Sequence, residues 1–398
     1  MESRAILHLD LDTFFVSVER LNNSFLEGKP ILIGHDGQRG VVASCSYEAR
    51  KFGIHSAMPI KLAKELCPEA IILGGNHEDY TKYSEMVSHI IKESVPVFEK
   101  TSIDEFYVDL TGTDRFFGCL QMASELRQTI IKETGLPISF GLSRNKTVSK
   151  VATGEAKPNN QIQIANGKEK AFLAPLSVKK IPMIGDKTYQ TLSSLGVRKV
   201  RMLQQMPLEL MEKVFGKNGI VMWRKANGID PTPVVPYSER KSISSERTFG
   251  KDTTDNTYLK KVILTMTEHL AYQLRKENKL TACVAVKVRY SDFNTHTLQA
   301  KIPYTSADHT LIPKTLELFN RLFDKRLLVR LVGVRFSHLV YGNYQINLFD
   351  DTEEMIGLYQ AMDHIKMKHG DQMVMKAAAL GVDAVRTFNP FKGEIISA

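Results

Sequence analysis

Residues 4–19 read RAILHLDLDTFFVSVE, and the change of character within this stretch decides the fold that follows. Residues 4–11 (RAILHLDL) form an apolar run with the length and composition of a buried strand. Phe14 to Leu21 reads as a short helix, stopped by Asn22-Asn23. A buried strand therefore leads straight into an acidic turn, Asp10-Leu11-Asp12, and then into a helix.

Working outward, KPILIG (29–34) and VVASC (41–45) predict strands, and SYEARKFGI (46–54) a helix ended by Gly53. Residues 78–94 predict a helix. FEKTSIDEFYVDL (98–110) then predicts two strands around a tight turn, with Phe106, Val108 and Leu110 on one face and Glu105, Tyr107 and Asp109 on the other. A helix over roughly 116–134, the strand PISFGLS (137–143) and a helix over 146–156 that stops before Lys157-Pro158 complete a mixed α/β region of about 165 residues. Short helices fill 167–230, with the turn Ile181-Pro182-Met183-Ile184-Gly185 between them. IDPTPVVPY (229–237) has too many prolines for a helix and reads as an extended linker. From 241 to 341 helical segments alternate with β-rich ones such as TACVAVKVRY (281–290). The tail predicts a helix from Asp351, with Glu354 completing a capping box and Gly370 ending it. The whole is an α+β multidomain chain.

At 398 residues the chain is too long for one core. Its 43% hydrophobic and 24% charged residues exclude a disordered protein. The net charge of +9 is concentrated: residues 239–341 hold 18 Lys plus Arg against 10 Asp plus Glu. Such a basic module suits a phosphate backbone. Four scattered cysteines exclude a zinc ribbon or disulfide framework. The start, MESRAILHLDLD, is too acidic for a signal peptide, and no apolar run reaches membrane-spanning length. A cytoplasmic protein with no membrane partner is expected.

Three carboxylates carry the chemistry: Asp10 at the end of the first strand, and Asp104-Glu105 in the hairpin turn. Carboxylates at strand ends and tight turns can converge on divalent cations. Magnesium in particular takes a few carboxylates plus substrate phosphates. Two such ions can activate a hydroxyl and stabilise a leaving pyrophosphate.

Asp10-Leu11-Asp12-Thr13-Phe14-Phe15 with Ser17-Val18-Glu19, and Ser102-Ile103-Asp104-Glu105, resemble the two active-site motifs of Y-family DNA polymerases, nearest to the bacterial DNA polymerase IV (DinB) branch. The resemblance runs from residue 5 to about 350. It implies a right-hand polymerase: palm (1–10 and 78–166), fingers (11–77), thumb with a helix-hairpin-helix (167–230), linker (231–240), little finger (241–341) and tail with a clamp-binding peptide (342–398). It further implies low-fidelity, template-directed translesion synthesis without proofreading, by two-metal phosphoryl transfer with two Mg2+ ions.

Residue by residue, the resemblance makes Asp10 and Asp104 metal ligands, Glu105 the catalytic carboxylate and the Leu11 backbone carbonyl a further metal ligand. Asp12 belongs to the motif, but the helix start breaks the strand alternation between positions 10 and 12 and sets it apart from the ligands. Phe15 matches the steric gate that excludes a ribose 2′-hydroxyl, and Phe14 is read as core. Tyr47 and Arg50, three apart on one helical face, and Lys157 match the triphosphate-binding groups. Asn160 stands where the family has glycine, and asparagine tolerates the left-handed backbone such a turn needs. Met183 stands where glycine is common in the thumb turn. Gln345, Leu348 and Phe349 fit the Gln-x-x-Leu-Phe peptide that binds the bacterial sliding clamp. The remaining histidines, His8 among them, lack ligand-like pairing and read as structural. The implied partners are primer–template DNA, deoxynucleoside triphosphates and the clamp, around a monomer.

Three rival readings fit the sequence less well. An Asp-x-Asp phosphatase requires Thr or Val where this chain has Phe14. A nucleotide cyclase has no use for the helix-hairpin-helix, the basic module or the clamp peptide. A catalytically inactive DNA-binding relative requires loss of a carboxylate, and all three are present.

Overall fold

The first strand runs from Ile6 to Leu11 (β1) in the computed structural model, which describes residues 4–113, 118–236, 239–324, 326–342, 353–370 and 373–382. Its side chains alternate: Leu7, Leu9 and Leu11 enter one hydrophobic core, while His8 turns to the other face. Thr13, with φ 42°, makes a left-handed turn out of the strand, and helix α1 (Phe14–Asn22) follows. Strands β2 (Ile31–Gly34), β3 (Val42–Cys45) and β4 (Ile71–Leu73) form a small sheet ordered β3-β2-β4. Helices α2 (Tyr47–Arg50) and α3 (Ile60–Leu66) lie between its last two strands in sequence. Helix α2 is shorter than SYEARKFGI suggested, a single turn capped by the Ser46 hydroxyl, which accepts from the Ala49 amide at 3.2 Å.

Next come α4 (His77–Ser94), β5 (Phe98–Lys100), β6 (Glu105–Asp109), α5 (Cys119–Thr134), β7 (Ile138–Ser143), α6 (Lys146–Ala156) and β8 (Gln161–Gln163). The five-stranded sheet has the order β5-β6-β1-β7-β8, so the strand read first from sequence is its centre. Both neighbours of β1 are antiparallel to it, and Asp10 lies opposite Glu105 on one side and Ser139 on the other. Helices α4 and α5 cover the face that carries Leu7, Leu9, Phe106, Val108 and Phe140. Helix α6 covers the opposite face, and Gly141 permits its close approach. A Cβ at Gly141 would lie 2.3 Å from the Ser149 carbonyl oxygen and 2.6 Å from the Thr153 amide nitrogen. The hydroxyls of Ser149 and Thr153 donate to the carbonyls of Ile6 and His8.

Five short helices follow: α7 (Glu169–Leu173), α8 (Asp186–Ser194), α9 (Val200–Gln205), α10 (Leu208–Phe215) and α11 (Lys217–Ala226). They share a core of Leu173, Leu192, Leu203 and Met211 with Val148 and Val151 of α6. In the turn before α8, Met183 adopts φ 84° and is 53% exposed, a backbone state that glycine takes without strain. The proline-rich stretch is extended, as its composition requires, but it is pinned at Asp230 to the start of α6 and at Val235 to strand β5. The Asp230 carboxylate accepts from the Thr147 amide and hydroxyl, and the Val235 amide donates to Glu99.

The chain divides into two units at residues 238 and 239. The second holds strands β9 (Ser242–Thr253), β10 (Lys279–Tyr290), β11 (Thr295–Thr305) and β12 (Val329–Tyr341) in one antiparallel sheet ordered β11-β10-β12-β9. Helices α12 (Asn256–Lys276) and α13 (Asp308–Leu322) pack on one face through Leu259, Leu270, Val284, Val286, Leu318 and Val334. Strand alternation puts Lys287, Arg289, Lys301 and Arg335 on the other face.

The tail helix α14 (Glu353–His369) ends at Gly370, φ 102°, where the sequence placed its stop; Asp351 of the expected capping box lies outside the described residues. This helix is docked on the second unit by Arg275. The guanidinium, 4% exposed, donates to Asp308 at 2.8 Å and to both carboxylate oxygens of Asp363 at 2.6 and 2.9 Å. Among the described residues no helix is long and apolar enough to cross a membrane.

Gly141→Ala is expected to destabilise the N-terminal unit by about 1–3 kcal/mol, since the added methyl meets backbone that cannot yield locally. Urea melts of the two proteins check this, and an unchanged midpoint would mean that α6 can retreat from β7.

Candidate active site

The acidic turn is organised by backbone before any ligand is considered. The Leu11 amide donates to the Asp104 carbonyl at 3.0 Å, which ties the end of β1 to the turn before β6. The Ser102 hydroxyl holds that turn: it donates to Asp104 Oδ1 at 2.5 Å and accepts from the amides of Asp104 and Glu105 at 3.2 and 2.9 Å. Asp10 and Glu105 then stand opposite each other on adjacent strands, with Asp104 one residue before. The side chain of Leu11 is buried in the core, so its backbone alone is available to the site.

Burial pushes the Asp10 carboxyl up to about 7; Asp104 and Glu105 add to the rise and Lys157 opposes it. Burial also raises Asp104, against the pull of its Ser102 hydrogen bond. These are acids that need positive charge beside them. Lys157 Nζ meets Asp10 Oδ1 at 2.5 Å, and Lys150 Nζ meets both oxygens of Glu105 at 2.6 Å. Among the described residues no three acidic, histidine or cysteine side chains close into a metal cage. As donors, the carboxylates of Asp10, Asp104 and Glu105 are hard oxygen ligands of the kind that suit magnesium or calcium.

Asp12, set apart by the sequence reading, is 1% exposed and serves as an anchor. Its carboxylate accepts from the Tyr47 hydroxyl at 3.3 Å, the Ser139 hydroxyl at 2.8 Å and the Asn159 amide at 2.6 Å, with Lys157 at 3.6 Å. Tyr47 is thereby fixed at the site, and burial together with Asp12 raises its phenol. Arg50 lies over the Tyr47 ring, its guanidinium carbon 5.0 Å from the centroid. Lys157, just past the end of α6, sits on Asp10 and Asp12. The left-handed residue of this turn is Asn159, at φ 46°, and not Asn160 as expected. Asn160 instead donates its amide to Ser139, so a side chain at position 160 meets no backbone penalty.

Phe15 is half-buried and stacks on Tyr80, with centroids 4.2 Å apart and 12° between planes. The Tyr80 hydroxyl donates to Glu19 at 2.6 Å, which locks the ring that supports Phe15. Phe14 is 3% exposed and belongs to the core. His8 is buried against Tyr107 and Thr153, and its Nδ1 lies 2.9 Å from the Thr153 hydroxyl. Gln345, Leu348 and Phe349 lie outside the described residues. The site thus gathers Asp10, Asp104, Glu105, Tyr47, Arg50 and Lys157. Sequence reasoning missed Ser139, Tyr80 and Lys150. The alternation of β7 could have shown that Ser139 faces the Asp12 side, whereas nothing local marks Tyr80 or Lys150.

The same stretch is found in known proteins. Residues 9–154 match the model of the impB/mucB/samB family and residues 240–348 that of its C-terminal domain. A DNA polymerase IV of Dehalococcoides mccartyi is 39% identical over 374 residues, covering 93% of this chain and 96% of the relative. A DNA polymerase IV of Streptococcus pyogenes is 37% identical over 343 residues, covering 85% and 94%. Among solved structures, a Y-family DNA polymerase chimera of Dbh and Dpo4 superposes with a TM-score of 0.75 at 26% identity, and an insertion ternary complex of Dbh DNA polymerase with 0.61 at 25%; each match covers 85% of this chain and 100% of the other. With both family models matched in order and relatives aligned over nearly their full length, the chain belongs to the impB/mucB/samB family, in the DNA polymerase IV branch of the Y-family DNA polymerases.

Proposed function

We propose that this DNA-directed DNA polymerase performs translesion synthesis: it adds deoxynucleotides to a primer 3′ end on a DNA template, without proofreading, by two-metal phosphoryl transfer at Asp10, Asp104 and Glu105. The observation that carries this is the register of β1 and β6, which sets Asp10 against Glu105 with Asp104 adjacent, all partly buried where β1 ends and β6 begins.

Asp10, Asp104, Glu105 and the Leu11 carbonyl are the groups that would hold magnesium. When bound, two magnesium ions favour ionisation of the primer hydroxyl and neutralise the departing pyrophosphate. The protein's own part is orientation and charge. Ser102 fixes Asp104, and Asp12 fixes Tyr47 and the backbone of Asn159. Tyr47, Arg50 and Lys157 form a cationic, hydroxyl-bearing flank for the triphosphate, and Lys157 already lies beside the carboxylates. The planar ring of Phe15, backed by Tyr80, suits a wall against the sugar.

The open face of the second sheet, with Lys287, Arg289, Lys301 and Arg335, suits duplex backbone, and the turn before α8 suits a further phosphate. The palm, fingers, thumb and little finger follow from this reading at the boundaries given by the sequence. So do a clamp-binding peptide at Gln345, Leu348 and Phe349, and a monomer. An inactive DNA-binding relative is disfavoured, because the three carboxylates and their supports are all in place.

Asp104→Ala or Glu105→Ala is expected to lower primer extension by about a thousandfold or more while duplex binding holds, since a lost ligand removes several kcal/mol of transition-state stabilisation. Primer-extension rates beside DNA-binding isotherms test it; extension near wild type rules out this active site.

Phe15→Ala should admit ribonucleotides and still add deoxynucleotides. If Phe15 served only as core, the variant would instead lose about 3–5 kcal/mol of stability and slow equally with both sugars. Side-by-side incorporation with a melting curve separates these outcomes.

Replacing Leu348 and Phe349 together by Ala is expected to abolish stimulation by a sliding clamp and spare clamp-free synthesis, because a few buried anchors carry most of such a contact. Clamp titration into a primer-extension assay decides it, and full stimulation of the double mutant refutes the assignment.

A further inference from the structure

The polymerase reading gives roles to the sheet carboxylates and to Lys157, but none to the helix that lies across them. Along α6, Lys146, Lys150, Thr153 and Lys157 are spaced four, three and four residues apart, a spacing that collects them on one helical face. Each meets a defined partner on the sheet: Lys146 the Glu99 carboxylate, Lys150 both oxygens of Glu105, Thr153 the His8 ring and carbonyl, and Lys157 Asp10. Lys150 stands out because its partner is the catalytic carboxylate. Its side chain is 37% exposed, so burial does not compel the contact, and a solvated lysine has water as an alternative.

The electrostatics give this contact a consequence. Asp10, Asp104 and Glu105 lie close enough for their charges to act on one another. An ammonium on Glu105 relieves that repulsion when no cation is present. It also occupies both oxygens of Glu105, lone pairs that a cation at the same carboxylate needs, and it lowers the negative potential that attracts the cation.

We propose that Lys150 is a positioning residue that holds Glu105 before the divalent cation arrives and competes with the cation for it, so that Lys150 sets the cation concentration at which the site loads. This rests on the assignment of Glu105 to the metal site.

The test is direct binding of Mn2+ to the full chain, followed by the electron paramagnetic resonance of the free ion, with no DNA or nucleotide present. Lys150→Gln is expected to tighten Mn2+ binding by about tenfold. Lys150→Arg, which keeps the charge, should stay within about twofold of wild type, and the tightening should vanish in the Glu105→Gln background. A lysine that merely stabilised the fold would lower the melting temperature of Lys150→Gln and leave Mn2+ binding unchanged or weaker, which overturns the proposal. A second measurement needs no variant: Mg2+ should increase acetylation of Lys150 in the wild-type protein, mapped by mass spectrometry, as the ammonium leaves Glu105. Labelling that ignores Mg2+ also overturns it. If Glu105→Gln alone leaves Mn2+ binding intact, the metal-site assignment itself fails and takes this proposal with it. If Glu105→Gln weakens binding but Lys150→Gln does not tighten it, only the role of Lys150 fails.

Discussion

Repulsion among neighbouring carboxylates is the constraint on which the N-terminal unit depends. A sheet sets directly opposite side chains within about 5.5 Å of each other, and like charges there destabilise it. Asp10 and Glu105 occupy such a pair, and Asp104 adds a third acid beside them. The chain could have relieved this with a cation from a neighbouring strand, but Ser139 on the other side of Asp10 is neutral. Relief comes instead from outside the sheet, from Lys150 of α6 and Lys157 just past its end. That demands a helix lying very close to the strands. Gly141 and the hydroxyls of Ser149 and Thr153 supply the closeness, one by having no side chain and the others by bonding to β1 backbone.

Much of this was legible beforehand because the N-terminal strand and the hairpin carry strong local patterns. A buried strand, an acidic turn and alternating residues at 105–110 are properties of neighbouring positions, and they specify β1, β6 and the carboxylates without tertiary information. Residues whose role depends on distant partners were not legible. Asp12 looked like a spare acid of the motif, and its anchoring function needs Tyr47, Ser139 and Asn159, which only the fold brings together. Lys150 looked like any helical lysine. The expectation for Asn160 missed by one residue, because the hydrogen bond that fixes this turn, Asn159 amide to Asp12, spans 147 positions. In the same way the prolines of 229–237 predicted extension correctly but could not show that Asp230 is tied to the start of α6.

The tail shows a different kind of limit. Its helix was anticipated from Gly370 and the local pattern, yet nothing in the residues 353–369 says what they pack on. The answer lies in Arg275, at the end of α12, whose charge is shared between Asp308 of α13 and Asp363 of α14. Tyr359 stacks on His309 next to this junction, with ring centroids 6.0 Å apart.

Arg275 also determines where the C-terminal unit can be cut. A buried guanidinium keeps its charge at every accessible pH, and its desolvation is tolerable only while carboxylates surround it. A chain truncated after β12, at the limit of the basic α+β segment, would retain every strand of the sheet and both core helices. It would leave Arg275 with Asp308 and the Ser306 carbonyl, without the two oxygens of Asp363, and open its other edge to water. The strands of the sheet end at Tyr341, but the charge of Arg275 is not fully paired until Asp363.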